Sequence, residues 1–254
     1  AKLGLHTAIV ERREVGGTCL NRGCIPTKTL LHASQVYYDA VNGAPVGVHS
    51  GDITYDMGEM FAFKRSVSEK LRGGIQTLLK GAKVDVIEGT AQIAAPGQVD
   101  VTGPGGAVTK YTADRILAAT GSVNVRPPIP GLDLPGVMTS DELLEGTDTP
   151  YASIIIIGGG VIGVEFATFY SHLGCRVTLV EGVANLMPQL DRELGQNLAQ
   201  ILKKQGVEVL TSAMVQSLER TAEGLCVHLN QKGKELTVTG EKVLCAIGRR
   251  AYFD

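Results

Sequence analysis

No apolar run in the chain is long enough to span a bilayer. The richest, SIIIIGGGVIGVEFA, is interrupted by four glycines and a glutamate, whereas a spanning helix needs about 18 or more consecutive apolar residues. A cluster of like charge is also missing. The net charge is −2, with Lys and Arg spread along 254 residues, which leaves no electrostatic footprint for nucleic acid or a membrane surface. A small-molecule partner, with no nucleic acid and no membrane, is the expectation. Cysteine is scarce: of five, only Cys19 and Cys24 stand close together. That excludes the disulfide framework of a small secreted domain and points to a reducing compartment. Cys175, Cys226 and Cys245 fall in apolar alternating runs and read as small core residues. What is present is a 44% hydrophobic content over a length that suits two ordinary domains.

The opening AKLGLHTAIVE reads as the tail of a helix feeding a buried strand over residues 5 to 11 that ends in Glu11. A glycine-rich loop and a helix from about Cys24 to Val41 follow, with Pro26 suiting its first turn. A second helix, Glu59 to about Gly81, carries Gly73 and Gly74 and is expected to bend there. KVDVIEGTAQIA, QVDVT and AVTKYTA read as antiparallel strands, the last two joined by GPGG, and DRILAAT as a further buried strand. RPPIPGLDLPG reads as a linker, after which the pattern restarts: a strand ASIIIIG, a helix to about Gly174 and a strand CRVTLVE form a βαβ unit. A helix over 191–205, a short strand VEVL and three strands through KVLCAIG complete the second half. Both halves contain a strand ending in VE, so two nucleotide-binding folds in tandem are expected, 1–149 and 150–254.

GGGVIG places Gly158, Gly160 and Gly163 after a strand and at the start of a helix, with Glu181 at the end of the next strand. Gly158 allows the tight turn, Gly160 a close approach of backbone to a pyrophosphate, and Gly163 close packing of helix on strand. The helix N-terminus favours the phosphate charge. Glu181 would accept hydrogen bonds from a ribose diol and repel a 2′-phosphate. No Arg or Lys lies in EGVANLMPQLD to receive one, so NAD is expected over NADP.

VGGTCLNRGCIPTK, residues 15 to 28, sets Cys19 and Cys24 five apart. Zinc is a poor reading, because there is no second close pair of thiols and no His at ligand spacing. In an ideal helix such residues have Cα atoms about 8.6 Å apart, beyond the roughly 7 Å limit for a disulfide. The pair can close only across a distorted turn, which Gly23 permits, and a helix starting there lowers a thiol pKa at its N-terminus. A reversible redox disulfide fits these residues best.

GGTCLNRGCIPTK resembles the redox-active segment of the flavin-dependent pyridine nucleotide-disulfide oxidoreductases, and its flavour is closest to the branch that oxidises dihydrolipoamide. AIVE, AATGS, PGL, GGGVIGVEFA, VTLVE and AIGRR come in that family's order along nearly the whole chain. The resemblance implies an α/β fold of two tandem Rossmann-like domains binding FAD and NAD. In it, Cys19 exchanges with substrate and Cys24 stacks against the flavin. Glu11 would bind the FAD ribose, Gly16, Gly17 and Thr18 would line its pyrophosphate, and Thr120, Gly121 and Ser122 would pass its phosphate arm. Lys28 would lie beside the flavin ring, paired with Glu165. Gly158, Gly159, Gly160, Val161, Ile162, Gly163, Glu181, Val215 and Gly248 match the NAD site.

The same resemblance implies dihydrolipoamide on a carrier domain as substrate, a homodimer, and a cytoplasmic or mitochondrial-matrix location. It also implies parts that are expected outside this chain: a first strand with its own glycine motif before Ala1, and a Gly-Asp strand and an interface domain with a catalytic base after Asp254. The first domain is therefore expected to be incomplete, and residues 1 to 254 alone to bind NAD weakly, hold little FAD and lack turnover. None of His6, His32, His49, His172 or His228 matches the base, and RRAYFD departs from the family's usual GRxPN ending. Mercuric reductase, glutathione-type reductase and a non-catalytic nucleotide-binding fragment are the rival readings.

Overall fold

The computed structural model describes residues 1–146 and 150–253. In chain order the first part holds β1 (Ala8–Glu11), α1 (Gly17–Arg22), α2 (Cys24–Val41), α3 (Met57–Gly81), β2 (Asp85–Glu88), β3 (Thr90–Ala95), β4 (Gln98–Thr102), β5 (Val108–Thr112) and β6 (Ser122–Asn124). Then come β7 (Val137–Thr139), α4 (Ser140–Glu145), β8 (Ser153–Ile157), α5 (Val161–His172), β9 (Arg176–Val180), α6 (Arg192–Lys204) and β10 (Glu208–Leu210). β11 (Ala213–Thr221), β12 (Gly224–Gln231), β13 (Lys234–Gly240), β14 (Lys242–Cys245) and β15 (Arg249–Ala251) complete it. No helix among the described residues is long and apolar enough to cross a membrane.

The second half is built on a parallel five-stranded sheet in the order β10-β9-β8-β14-β7. β8 explains the run of four isoleucines. Strand side chains alternate between faces, so Ile154 and Ile156 enter one apolar cluster with Phe166 and Phe169 of α5, while Ile155 and Ile157 enter a second with Leu225, Val227 and Leu229 of β12. A strand covered on both faces has no polar side, and each buried isoleucine contributes roughly 1.5–3 kcal/mol. The first cluster also takes in Leu30 of α2 and Met57 and Phe61 of α3, so it ties the cysteine helix to the second half.

The first half is thinner. β1 and β2 form a two-stranded parallel sheet, and β3, β4 and β5 an antiparallel one. The strand expected over residues 5 to 11 is shorter and open to solvent: Ala8 and Ile9 are exposed, and only Val10 and Glu11 are half-covered. DRILAAT forms no strand and is exposed throughout. Its alternating apolar residues meet no neighbouring strand among the described residues, and a strand without a ladder partner leaves its backbone to water.

Other expectations shift in detail. The glycine-rich loop contains a helix, α1, between Gly16 and Gly23. α3 runs unbroken through Gly73 and Gly74, started by Asp56, whose side chain accepts the Glu59 N–H. β2 pairs in parallel with β1, because Gly89 separates it from β3; a Cβ there would lie 2.7 Å from the Thr102 carbonyl oxygen. Four strands, not three, run from residue 213 to Cys245, and only β14 rejoins the parallel sheet. The stretch expected as a linker is packed, with Leu132 buried in the second cluster. β7 hydrogen-bonds β14, although it precedes the expected division at 149/150, and residues 147–149 lie outside the described residues.

Candidate functional site

Cys19 and Cys24 are joined by a disulfide with Cα atoms 4.7 Å apart. The break that allows it is Gly23, which separates α1 from α2 with φ −144° and ψ −112°. A Cβ on Gly23 would stand 3.1 Å from the Thr18 carbonyl oxygen and 3.3 Å from the Cys19 Cα. Its carbonyl is held in place by the Thr27 backbone N–H at 3.1 Å and the Thr27 hydroxyl at 2.7 Å. Cys24 is the first residue of α2, where the unpaired N–H groups of an 18-residue helix stabilise a thiolate. Both cysteines are exposed.

The approach to this turn is fixed by Asn21, whose amide donates to the carbonyls of Val15 at 3.1 Å and Gly17 at 3.0 Å. Arg22 donates to Glu14 at 2.8 Å and to Glu145 of α4 at 2.6 Å. Lys28 on α2 pairs with Glu165 on α5 at 2.5 Å, so the expected pair bridges the cysteine helix and the helix that follows the glycine loop.

Thr18 and Gly121 are neighbours: a Cβ on Gly121, whose φ is +77°, would lie 3.5 Å from the Thr18 hydroxyl. Thr120 donates its hydroxyl to the Tyr252 carbonyl, and the Tyr252 N–H donates to Gly121 at 3.0 Å. Gly16 and Gly17 have φ of +112° and +70°, and open space faces Gly17. Glu11 accepts the Arg13 N–H at 2.9 Å.

In the second half, each glycine of the motif meets a different constraint. A Cβ on Gly158 would lie 2.4 Å from the Ala246 carbonyl oxygen, and one on Gly163 1.8 Å from the Gly158 carbonyl oxygen. A Cβ on Gly160 would meet nothing within 4 Å, so the side of that glycine before the N-terminus of α5 is open, as a close approach of a pyrophosphate requires. Val161 and Ile162 begin that helix. Glu181 accepts the Gly159 N–H at 2.7 Å and the Val183 N–H at 2.9 Å. Val215 lies in β11 at a register shift, and Gly248 has φ +131°.

The sequence reading missed several supporting residues. Arg249 donates to the Ser122 hydroxyl at 2.9 Å, Asn124 at 2.9 Å and Asp141 at 2.6 Å, clamping β15, β6 and α4 together. Met187 donates its N–H to the Gly159 carbonyl at 2.9 Å, and Met214 reaches Gly182, where a Cβ would be 2.7 Å from its sulfur. No local pattern marks these positions, because each acts through residues distant in the chain. Two other thiols are quiet: burial pushes Cys175 up to about 12 and also raises Cys245. Cys226 is buried but belongs to neither core cluster.

A family model described as pyridine nucleotide-disulphide oxidoreductase matches residues 1–253. A dihydrolipoyl dehydrogenase of Bacillus subtilis is 36% identical over 267 residues, which take in 100% of this chain and 56% of that protein. One from Acholeplasma laidlawii is 38% identical over 256 residues, 99% of this chain and 73% of that protein. Among solved structures, the HOCl-induced flavoprotein disulfide reductase RclA from Escherichia coli matches with a TM-score of 0.81 and 31% identity, over 99% of this chain and 53% of that one. The chain thus spans little more than half of the Bacillus and Escherichia proteins it matches.

Proposed function

The chain belongs to the pyridine nucleotide-disulphide oxidoreductase family, and from that premise we propose that it carries the redox disulfide and nucleotide sites of an enzyme oxidising dihydrolipoamide with NAD. The observation that carries this reading is the exposed Cys19–Cys24 disulfide closed across Gly23 at the N-terminus of α2. Similarity to the Bacillus and Acholeplasma dihydrolipoyl dehydrogenases supports the choice of dithiol. The same reading takes in dihydrolipoamide held on a carrier domain, a homodimer, and a domain division near residue 149.

In this reading one thiolate of the dithiol attacks the Cys19 sulfur, forming a mixed disulfide and breaking the bond to Cys24. The Cys24 sulfur leaves with the bonding pair as a thiolate, which the helix terminus stabilises. The second thiolate of the substrate then attacks its own sulfur in the mixed disulfide, closing a cyclic disulfide and releasing Cys19. The substrate has lost two electrons and the cysteine pair has gained them. FAD, when bound, supplies the chemistry that passes those electrons on to NAD.

The residues present fit both groups. Glu11, Gly16, Gly17, Thr18, Lys28, Thr120, Gly121 and Ser122 would hold FAD; the open space at Gly17 and the closeness of Thr18 to Gly121 support this. Gly158 to Gly163, Glu181, Val215 and Gly248 would serve the nicotinamide nucleotide side, supported by the open space at Gly160, and Glu165 would hold Lys28 beside the flavin ring. The test uses the flavin-loaded full-length protein. Cys19→Ser and Cys24→Ser should each stop dihydrolipoamide-dependent NAD reduction, with the long-wavelength band of a Cys24 thiolate against flavin kept in the first and lost in the second. An unchanged rate in either variant overturns the assignment.

A further inference from the structure

β11, β12 and β13 form an antiparallel sheet with one face turned into the core and the other turned out. Side chains alternate along a strand, so Leu225, Val227 and Leu229 of β12 enter the core while Cys226 and His228 share the outer face. Glu219 of β11 stands directly opposite Cys226 in the ladder, and Ser217 opposite His228. The outer face of a half-buried sheet ordinarily presents solvated polar groups. Here it carries a thiol that is only 8% exposed, an imidazole and a carboxylate side by side.

We propose that Glu219, Cys226 and His228 bind a divalent transition-metal ion, with zinc the best chemical match, at a site that cross-links β11 to β12. Their donor atoms all lie within 4.8 Å of one another, and the His228 Nε2 is 3.0 Å from the Glu219 carboxylate. Zinc bonds of about 2.3 Å to sulfur and 2.0–2.1 Å to nitrogen or oxygen place tetrahedral donors about 3.3–3.6 Å apart. The widest pair therefore needs to close by at most about 1.5 Å and the His228–Glu219 pair to open by a few tenths of an ångström, within reach of side-chain rotation on a fixed ladder. Thiolate with imidazole selects zinc and its neighbours over magnesium or calcium, which take oxygen donors.

Three protein ligands leave a fourth position for solvent, and one of them, His228, also lines a surface groove with Ser217, Glu235 and Thr237. Binding exchanges the Cys226 thiol proton for the metal: the sulfur–hydrogen bond breaks, the sulfur–metal bond forms, and one proton goes to solvent. No electron is transferred. The other end of β11 holds Met214 beside Gly182, next to Glu181, so the cross-link would brace the strand that borders the proposed nucleotide site.

The test takes the full chain with Cys19 and Cys24 kept as a disulfide, so that they offer no thiolate, and titrates zinc against a chromophoric chelator, with cobalt(II) as a spectroscopic probe. One equivalent should bind, release one proton, and give a thiolate-to-cobalt charge-transfer band. Cys226→Ser and His228→Ala should each weaken binding at least ~10-fold and Cys226→Ser should remove the band, while Cys175→Ser should change neither. If Cys226→Ser does not fold, His228→Gln and Glu219→Gln, at half-covered and exposed positions, report the same loss with the core intact. No zinc taken from the chelator, or binding that survives at full strength in the Cys226 or His228 variants, overturns the site.

Discussion

β1 and β9 each lead to a glutamate whose carboxylate accepts the backbone N–H two residues on: Arg13 to Glu11 and Val183 to Glu181, both at 2.9 Å. The strands themselves fare differently. β9 lies between β8 and β10 with Val177 to Val180 buried, whereas β1 pairs, among the described residues, only with β2 and leaves Ile9 37% exposed. The same contrast divides ILAATG from VLCAIG: the second supplies β14, inserted between β8 and β7, and the first forms no strand. An apolar alternating segment becomes a strand when a neighbouring strand accepts its backbone groups, and a buried one when it has neighbours on both sides; the local sequence does not say whether they are there.

The largest expected effect tests this contrast. Ile156→Ala, in a fully buried strand, should cost about 2–5 kcal/mol, whereas Ile9→Ala should stay within about 0.5 kcal/mol; urea titration of both variants gives the comparison. Equal losses would mean that β1 is as well covered as β8. Next, Gly163→Ala forces a Cβ against the Gly158 carbonyl and should cost about 1–3 kcal/mol. Gly160→Ala, with open space and φ −77°, should leave stability unchanged but weaken nucleotide binding, as calorimetry with NAD would show. A stable Gly163→Ala that binds NAD normally would remove the packing role.

Smaller still is the nucleotide preference. A 2′-phosphate brought against Glu181 should favour NAD over NADP by a factor of about 10, or roughly 1.4 kcal/mol, and Glu181→Gln should narrow it. Equal affinities in the unaltered chain would refute the role. The smallest effect concerns the α2–α5 contact, where His172 is stacked on Tyr38 with ring centroids 4.4 Å apart and neither ring nitrogen is hydrogen-bonded among the described residues. Burial holds its pKa below the ordinary value, against an opposing pull from Asp39. The unfolded chain then binds the proton first, so stability is full above about pH 6.5 and falls as pH drops below it. His172→Phe should flatten that decline in a thermal-melt series from neutral to mildly acid pH; an identical slope would exclude His172 as its source.

Helix α2, the glycine motif and the central βαβ unit were legible because caps, glycine positions and periodicity are local signals. The disulfide pair was legible from spacing and the intervening Gly23. Local signals failed for α1, which is bounded by glycines that read as a loop, and for β6, β7 and β15, short strands that exist through partners far along the chain. Arg249 illustrates the limit: its clamp on Ser122, Asn124 and Asp141 joins residues more than a hundred positions away. Cys226 is buried, as its apolar neighbours suggest, but the register of β12 sets it on the face away from the second apolar cluster.

The most direct test of the redox account is differential alkylation of the chain before and after treatment with dihydrolipoamide, followed by peptide mapping. The account predicts that Cys19 and Cys24 are protected from alkylation at first, react together in a sample taken after reduction, and are protected again in a sample reoxidised before alkylation, while Cys175 and Cys245 do not change. A Cys19–Cys24 pair that is already alkylated in the untreated protein, or that stays closed while label appears on the other thiols, would contradict it.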